Sequence, residues 1–131
     1  MSDLILIVED EPKLAALVRD YLQAAGYRSE WLADGRQVRE RGKTGPRPAA
    51  VLLDVSPPEY PGLEVLAQMR SHPVTHAVPV VVLAPADDAA VVARSYEMGA
   101  NSVLLKTADA TRLAEMLRRM QAYWLQINET V

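Results

Sequence analysis

The chain has 131 residues, no cysteine and a formal net charge of −3, so it is long enough for one domain and too short for two. The lack of cysteine excludes disulfides, zinc–thiolate sites and a thiol nucleophile, and it agrees with a cytoplasmic location. The negative charge and the absence of an uncharged apolar run of about 18 residues argue against binding to nucleic acid and against a membrane span.

Five short apolar segments are predicted to form β-strands, at 4–8, 29–32, 50–55, 78–83 and 102–105. Four of them are nearly continuous apolar runs, which is typical of strands that are buried on both faces of a parallel sheet. The second segment places Arg28 and Glu30 around Trp31. This mixture of charged and apolar residues predicts a strand at the edge of the sheet.

Segments with helical periodicity lie between the predicted strands. The first repeats apolar residues at helical spacing from Leu14 to Ala25, with Pro12 in its first turn and Gly26 at its end. Further helices are predicted at 35–41, from 63 to before Pro73, at 89–98 and at about 111–128. Strand and helix alternate five times, which predicts an α/β fold with a doubly wound, five-stranded parallel sheet and five helices.

Charged residues follow three of the predicted strands, at the sheet edge where open α/β folds bind ligands. Glu9, Asp10 and Glu11 follow the first strand, Asp54 ends the third, and Lys106 follows the fifth. If the first and third strands are neighbours, about 4.8 Å apart, their carboxylates converge and repel one another unless a cation is present. Mg²⁺ prefers oxygen ligands of this kind, and a carboxylate nucleophile can form an acyl phosphate. The pattern therefore predicts a site for phosphoryl transfer, and the alternative is a set of ordinary loop acids.

The order and spacing of several short motifs match a known family. They are ILIVEDEP at 5–12, VLLD at 51–54 followed by Pro58 and Gly62, PVVVL at 79–83, GAN at 99–101 and LLK at 104–106. Together they resemble the receiver domains of response regulators, the CheY-like domains. The resemblance covers essentially the whole chain, 1–131, as a single receiver domain. It implies a flavodoxin-like sheet in the order 2-1-3-4-5 and a phosphoacceptor that signals in a two-component system without acting as an enzyme on other substrates.

The resemblance also implies a role for each residue at the strand ends. Asp54 resembles the phosphoacceptor, and Asp10 resembles the residue that binds the metal directly. Glu9 resembles the acid that acts through metal-bound water, and the backbone carbonyl of Ser56 resembles the third protein ligand. Lys106 resembles the cation that contacts the phosphoryl oxygens. The implied cofactor is Mg²⁺, with Mn²⁺ as a substitute.

Three residues depart from the family pattern near this site. Ala84 replaces the usual Thr or Ser after the fourth strand, which leaves only its backbone to contact the phosphoryl group. Val103 replaces the aromatic switch residue, and Thr107 replaces the proline that usually follows the lysine with a cis bond. Two interpretations stay open: a receiver that is still phosphorylated but relays the event differently, and a degenerate receiver that acts as a phosphate-independent interaction module.

The last predicted helix, within about 111–131, has an apolar stripe at its far end. Over 18 residues it would be roughly 27 Å long, whereas a typical strand spans only about 17–20 Å. Tyr123, Trp124 and Ile127 at this end are therefore predicted to form a partner surface, most simply in a homodimer. The alternative is that this end packs back on its own domain.

The partners follow from the same resemblance. Tyr123-Trp124-Leu125 with Asn128-Glu129 resembles the tail of response regulators that work with bacterial phytochromes. The implied partner is a sensor histidine kinase, with a bacteriophytochrome among the candidates, and the output is expected to be another protein. A phosphatase with an aspartyl-phosphate intermediate is the alternative from another class. It would need a second acid two residues after Asp54, and Ser56 cannot serve as that general acid.

Overall fold

The structure is a computed structural model that describes residues 4–24, 26–33, 36–43, 48–55, 61–73, 75–85, 88–106 and 118. In chain order the elements are β1 (Leu4–Val8), α1 (Pro12–Ala24), β2 (Arg28–Leu32), α2 (Arg36–Lys43), β3 (Ala50–Asp54), α3 (Pro61–Ser71), β4 (Val80–Pro85), α4 (Ala89–Glu97) and β5 (Ser102–Lys106). The strands form one parallel sheet in the order β2-β1-β3-β4-β5. The α/β class and the strand order predicted from the sequence are confirmed.

The sheet is buried because alternate residues of its central strands enter two separate apolar clusters. On one face, Leu4, Leu6 and Val8 of β1 belong to a cluster that also contains residues of α2, α3 and α4. On the other face, Ile5 and Ile7 belong to a cluster with buried residues of α1. Since both faces are covered, β1 and β3 have no need of polar positions, and this explains their continuous apolar sequences.

Local signals set where the described helices begin and end. Pro12 is the first residue of α1, where its missing N–H costs nothing. Gly26 follows this helix with a φ of 94°, a conformation that other L-residues rarely adopt. The carboxylate of Asp88 accepts a hydrogen bond from the Val91 amide at 3.1 Å and caps the start of α4.

Some sequence predictions differ from the structure. The fifth segment reads as a strand buried on both faces, but Leu105 of β5 is 39% exposed; its position at the sheet edge agrees with the predicted strand order. β4 starts and ends two residues later than predicted, so Ala84 lies inside this strand and not after it. Helix α2 extends to Lys43, two residues beyond its predicted end at 41.

The C-terminal predictions fall almost wholly outside the described residues. Arg118 alone is described there; it is helical and exposed. The extended helix and its apolar end at Tyr123, Trp124 and Ile127 thus stay predictions. In the part of the chain that the structure describes, no helix has the length and apolar character needed to cross a bilayer.

Candidate functional site: a carboxylate cluster at the end of the sheet

Three carboxylates meet at the carboxyl end of the sheet. One oxygen from each of Glu9, Asp10 and Asp54 lies within 4.8 Å of the other two. The sheet brings them together because β1 and β3 are adjacent, with Val8 opposite Leu53. The residue that follows this pair is Glu9 on one strand and Asp54 on the other. The structure thus brings together three of the acids predicted from the sequence.

The three acids differ in their exposure to solvent. Glu9 is only 2% exposed, Asp54 is half-buried and Asp10 is exposed. The Oε1 atom of Glu9 accepts a hydrogen bond from the amide of Glu11 at 3.1 Å. The backbone N–H of Glu9 donates to the carbonyl of Leu32 at 3.2 Å. Glu9 is therefore held both by the turn after β1 and by the neighbouring strand β2.

Gly62 brings helix α3 close to Asp54. A Cβ atom at position 62 would lie 2.4 Å from the backbone oxygen of Asp54 and 2.9 Å from Cγ2 of Val55. Real Cβ contacts do not reach such distances, so a larger residue would have to displace the backbone at the end of β3. Gly62 belongs to the family motif that follows Asp54, and these distances give the physical reason why a side chain does not fit there.

The chemistry of the cluster fits a hard divalent cation. At 4.8 Å, two like charges repel by about 1 to 3.5 kcal/mol, between the dielectric of bulk water and that near a protein surface. A bound cation attracts each of the three carboxylates and so offsets this repulsion, and oxygen donors are the ligands that Mg²⁺, Ca²⁺ and Mn²⁺ prefer. Glu9, Asp10 and Asp54 together can therefore hold a divalent metal ion, and exposed Asp10 leaves room for water ligands.

Of the remaining predicted site residues, the structure describes Ala84 on β4 and Val103 and Lys106 on β5. Ala84 is fully buried in β4, one residue beyond the partner of Asp54 in the sheet register. Val103 is half-buried in β5, and its N–H donates to the hydroxyl of Tyr96 at 3.2 Å. Lys106 is the last residue of β5, beside Pro85. Its side chain, and all of Ser56 and Thr107, are outside the described residues.

One residue beside the cluster gave no functional signal in the sequence. The indole Nε1–H of Trp31 on β2 donates to the backbone carbonyl of Glu9 at 2.6 Å. Trp31 is 42% exposed and stood out only as part of an edge strand. The contact depends on the register that places Trp31 opposite Ile7, and a sequence pattern does not contain that register.

Known proteins share this fold. The family profile of the response regulator receiver domain matches residues 5–118. The chain belongs to this family, and it is therefore a receiver domain of the two-component response regulators, with the CheY-like fold.

Among its relatives is the response regulator Rcp1 of Synechocystis sp. (strain ATCC 27184 / PCC 6803 / Kazusa), which is 32% identical over 130 residues, or 93% of this chain and 88% of Rcp1. A crystal structure of the Mn²⁺-bound form of Rcp1 superposes with a TM-score of 0.80 over 93% of this chain and 94% of that one. The phosphorylated cyanobacterial phytochrome response regulator RcpA superposes with a TM-score of 0.85 at 26% identity, over 95% of each chain. The probable methanogenesis regulatory protein FilR2 of Methanothrix harundinacea (strain 6Ac) is also 32% identical, over 97% of this chain and 86% of that protein.

Proposed function

We propose that this receiver domain accepts a phosphoryl group on Asp54 in a reaction that depends on Mg²⁺, or on Mn²⁺ as a substitute. The observation that carries this proposal is the meeting of Glu9, Asp10 and Asp54 within 4.8 Å at the end of adjacent strands. A domain that served only as a scaffold would gain nothing from three mutually repelling carboxylates. The Mn²⁺-bound form of the relative Rcp1 supports the choice of a divalent ion.

In the proposed reaction, a carboxylate oxygen of Asp54 attacks the phosphorus of a phosphohistidine or of acetyl phosphate. The new P–O bond forms as the bond to the leaving nitrogen or oxygen breaks, and that atom keeps the electron pair. Glu9, Asp10, Asp54 and the Ser56 carbonyl would hold the metal ion, which supplies positive charge to the phosphoryl oxygens. We assign Lys106 the role of a second cation there, and Ala84 can offer only its backbone.

The degenerate receiver is the second candidate, because two switch positions are altered. Ala84 is fully buried in β4 and has no hydroxyl to donate. Losing one hydrogen bond to a charged group costs roughly 1.5–3 kcal/mol, which lowers the population of the phosphorylated state without preventing it. Val103 has no ring to move inward, so a phosphorylated form has to signal by another route. We favour the phosphorylated receiver because the acid cluster is retained. In this proposal the chain is a phosphoacceptor and not an enzyme.

The direct test is incubation of the chain with acetyl phosphate and Mg²⁺, followed by intact-mass measurement. We expect a mass gain of one phosphoryl group that disappears in Asp54→Asn and is strongly reduced by a chelator. Glu64→Gln is a matched control, since Glu64 is an exposed acid on α3 and its loss should not change the gain. No gain in the parent chain, or a gain that persists in Asp54→Asn, would favour the degenerate receiver.

We further propose a sensor histidine kinase as the phosphoryl donor, with a phytochrome kinase as the specific candidate. The relative RcpA is a phytochrome response regulator, and the tail at 123–129 resembles that group. Transfer from an autophosphorylated phytochrome kinase should be faster than transfer from an unrelated kinase. Equal rates would remove the phytochrome assignment and leave phosphorylation of Asp54 intact.

A further inference from the structure

Trp31 reaches the acid cluster from a strand that carries none of the three acids. It belongs to β2 at the sheet edge, whereas the acids belong to the ends of β1 and β3. Its indole Nε1–H nevertheless reaches the backbone carbonyl of Glu9, at 2.6 Å. Tryptophan nitrogen is a donor only, so this side chain can serve a carbonyl but cannot itself bind a cation.

The carbonyl of Glu9 is part of the peptide unit that joins Glu9 to Asp10. A peptide unit is planar, so fixing its carbonyl oxygen also fixes the direction in which the Cα atom of Asp10 continues. The N–H of Glu9 donates a hydrogen bond to the Leu32 carbonyl at 3.2 Å, and the Oε1 atom of Glu9 accepts one from the Glu11 amide at 3.1 Å. Trp31 supplies a further restraint, on the side of the peptide unit that leads to exposed Asp10.

We infer that Trp31 is a positioning residue for the metal site: it orients the Glu9–Asp10 peptide so that both carboxylates face Asp54 before the cation arrives. This inference rests on the proposed function. Groups that hydrogen-bond to metal-binding residues without touching the metal raise the metal affinity, because they reduce the reorganisation that binding requires. Trp31 therefore acts through Glu9 and Asp10 and touches neither the cation nor the phosphoryl group.

Packing alone does not account for this arrangement of the tryptophan. Trp31 is 42% exposed, so only part of its ring contributes to the core. A Phe at this position would keep an aromatic ring over the sheet edge and remove only the N–H donor. The substitution Trp31→Phe therefore separates the proposed restraint from most of the packing contribution.

The chain offers a matched control on the opposite edge of the sheet. The hydroxyl of Tyr96 accepts a hydrogen bond from the backbone N–H of Val103 on edge strand β5, at 3.2 Å. Tyr96→Phe also removes a single bond between an exposed aromatic side chain and an edge strand. It does so away from the acid cluster, so it measures the effect of such a loss on stability alone.

The experiment compares Mn²⁺ dissociation constants of the parent, Trp31→Phe, Tyr96→Phe and Asp10→Asn by electron paramagnetic resonance of the free ion. We expect Trp31→Phe to weaken Mn²⁺ binding by about 3- to 10-fold, as expected for one neutral hydrogen bond. Tyr96→Phe should stay within about twofold of the parent, because distant sites act independently. Asp10→Asn should abolish most of the binding.

A second readout uses the metal-free chain. Hydrogen exchange of the Glu11 amide, which is bound to Glu9 Oε1, should be faster in Trp31→Phe than in the parent and unchanged in Tyr96→Phe. Equal urea-unfolding midpoints for the two Phe variants would show that the difference is local.

The outcomes distinguish this inference from the proposed function. If the parent binds Mn²⁺ and Trp31→Phe binds it equally well, the positioning role is wrong and the metal site stands. If Trp31→Phe and Tyr96→Phe weaken binding alike, the effect is one of stability, and the positioning role is again wrong. If the parent binds no Mn²⁺ and no Mg²⁺, the proposed function fails, and the role of Trp31 fails with it.

Discussion

Gly62 of α3 packs directly against the backbone of Asp54, so it links the packing of this helix to the geometry of the site. The space for a side chain there is closed by the backbone oxygen of Asp54 at 2.4 Å and by Val55 at 2.9 Å. The position of Asp54, the proposed nucleophile, therefore depends on the absence of a Cβ atom at residue 62 of α3. A backbone oxygen cannot rotate away as a flexible side chain can, so the end of β3 would have to move.

We predict that Gly62→Ala reduces both stability and metal binding. Displacing packed backbone costs about 1–3 kcal/mol, and the better helix propensity of Ala returns up to about 1 kcal/mol. The free energy of unfolding should fall by urea denaturation, and Mn²⁺ affinity should fall because Asp54 moves relative to Glu9 and Asp10.

Gly26→Ala is the control for this prediction. Gly26 has a φ of 94°, and among the described residues other than its chain neighbours no atom lies within 4 Å of the place that a methyl group would occupy, so the substitution introduces backbone strain of about 1–2 kcal/mol without a clash. It should lower stability and leave Mn²⁺ affinity unchanged. Unchanged affinity in Gly62→Ala as well would show that Asp54 tolerates the shift.

The acids of the cluster could be predicted from the sequence one by one. The residues that hold them in place, Trp31 and Gly62, could not be predicted from the apolar pattern. Asp10 and Asp54 each follow a continuous apolar run, and buried parallel strands place such residues at one edge of a sheet. The contact of Trp31 with Glu9 depends on strand register and on a side-chain rotamer, and neither leaves a mark in an apolar pattern. Gly62 was identified through the family resemblance alone, and its distances to Asp54 supply the physical reason.

The two edge strands show why element types were easier to predict than their environments. β2 carries charges, and its edge position was predicted correctly from them. β5 reads as SVLLK and has one charge, at its end, so its apolar pattern predicted a strand buried on both faces, and its edge position followed only from the strand order of the family. Leu105 is 39% exposed and Tyr96 of the preceding helix is 50% exposed. An apolar edge strand of this kind satisfies the same sequence pattern as a central one.

The last predicted helix leads to a testable prediction about dimer formation. Its far end lies outside the described residues, and the proposal of a homodimer rests on the apolar set Tyr123, Trp124 and Ile127. A charge in the centre of such an interface would be buried without a partner, so Trp124→Glu should convert the proposed dimer to a monomer. Light scattering measures the molar mass directly.

Arg119→Glu is a suitable control for this substitution, since it introduces the same side chain on the same segment at a position outside the apolar stripe. Equal molar masses for the parent and Trp124→Glu would contradict the dimer. The interpretation in which the helix end packs on its own domain would then be preferred, and a loss of stability in Trp124→Glu would support it.

In the whole molecule, the acid cluster lies at the carboxyl end of the sheet, and a hydrogen-bond network around Arg70 lies at the amino end. The carboxyl ends of β1 and β3 carry the acids, and the amino ends of β4 and β5 are joined by Arg70 from the end of α3. The guanidinium donates to the carbonyls of Gly99 at 2.9 Å, His76 at 3.1 Å and Val78 at 2.8 Å, and to Oδ1 of Asn101 at 2.9 Å. Partial burial lowers the pKa of Arg70 from its ordinary value.

This arrangement places a stabilising network away from the site. Asn101 extends it, because its Oδ1 also accepts the N–H of Val80 at 2.8 Å. A strand of five residues separates the two ends by about 16 Å, so the network and the acid cluster share the sheet but no side chain. Stability and metal binding should therefore respond to different substitutions.

We predict that Arg70→Lys lowers the free energy of unfolding by about 1–3 kcal/mol, because an ammonium group cannot reach four acceptors in two segments as the planar guanidinium does. Mn²⁺ affinity should stay within about twofold of the parent, since sites this far apart act independently. Arg19→Lys is the control: Arg19 lies 3.6 Å from Asp20 with both side chains more than half exposed, and its replacement should cost less than about 0.5 kcal/mol. Urea unfolding and Mn²⁺ titration of the same samples separate the two effects. A loss of metal affinity in Arg70→Lys would mean that the amino end of the sheet controls the acid cluster, and the two ends could no longer be treated as independent.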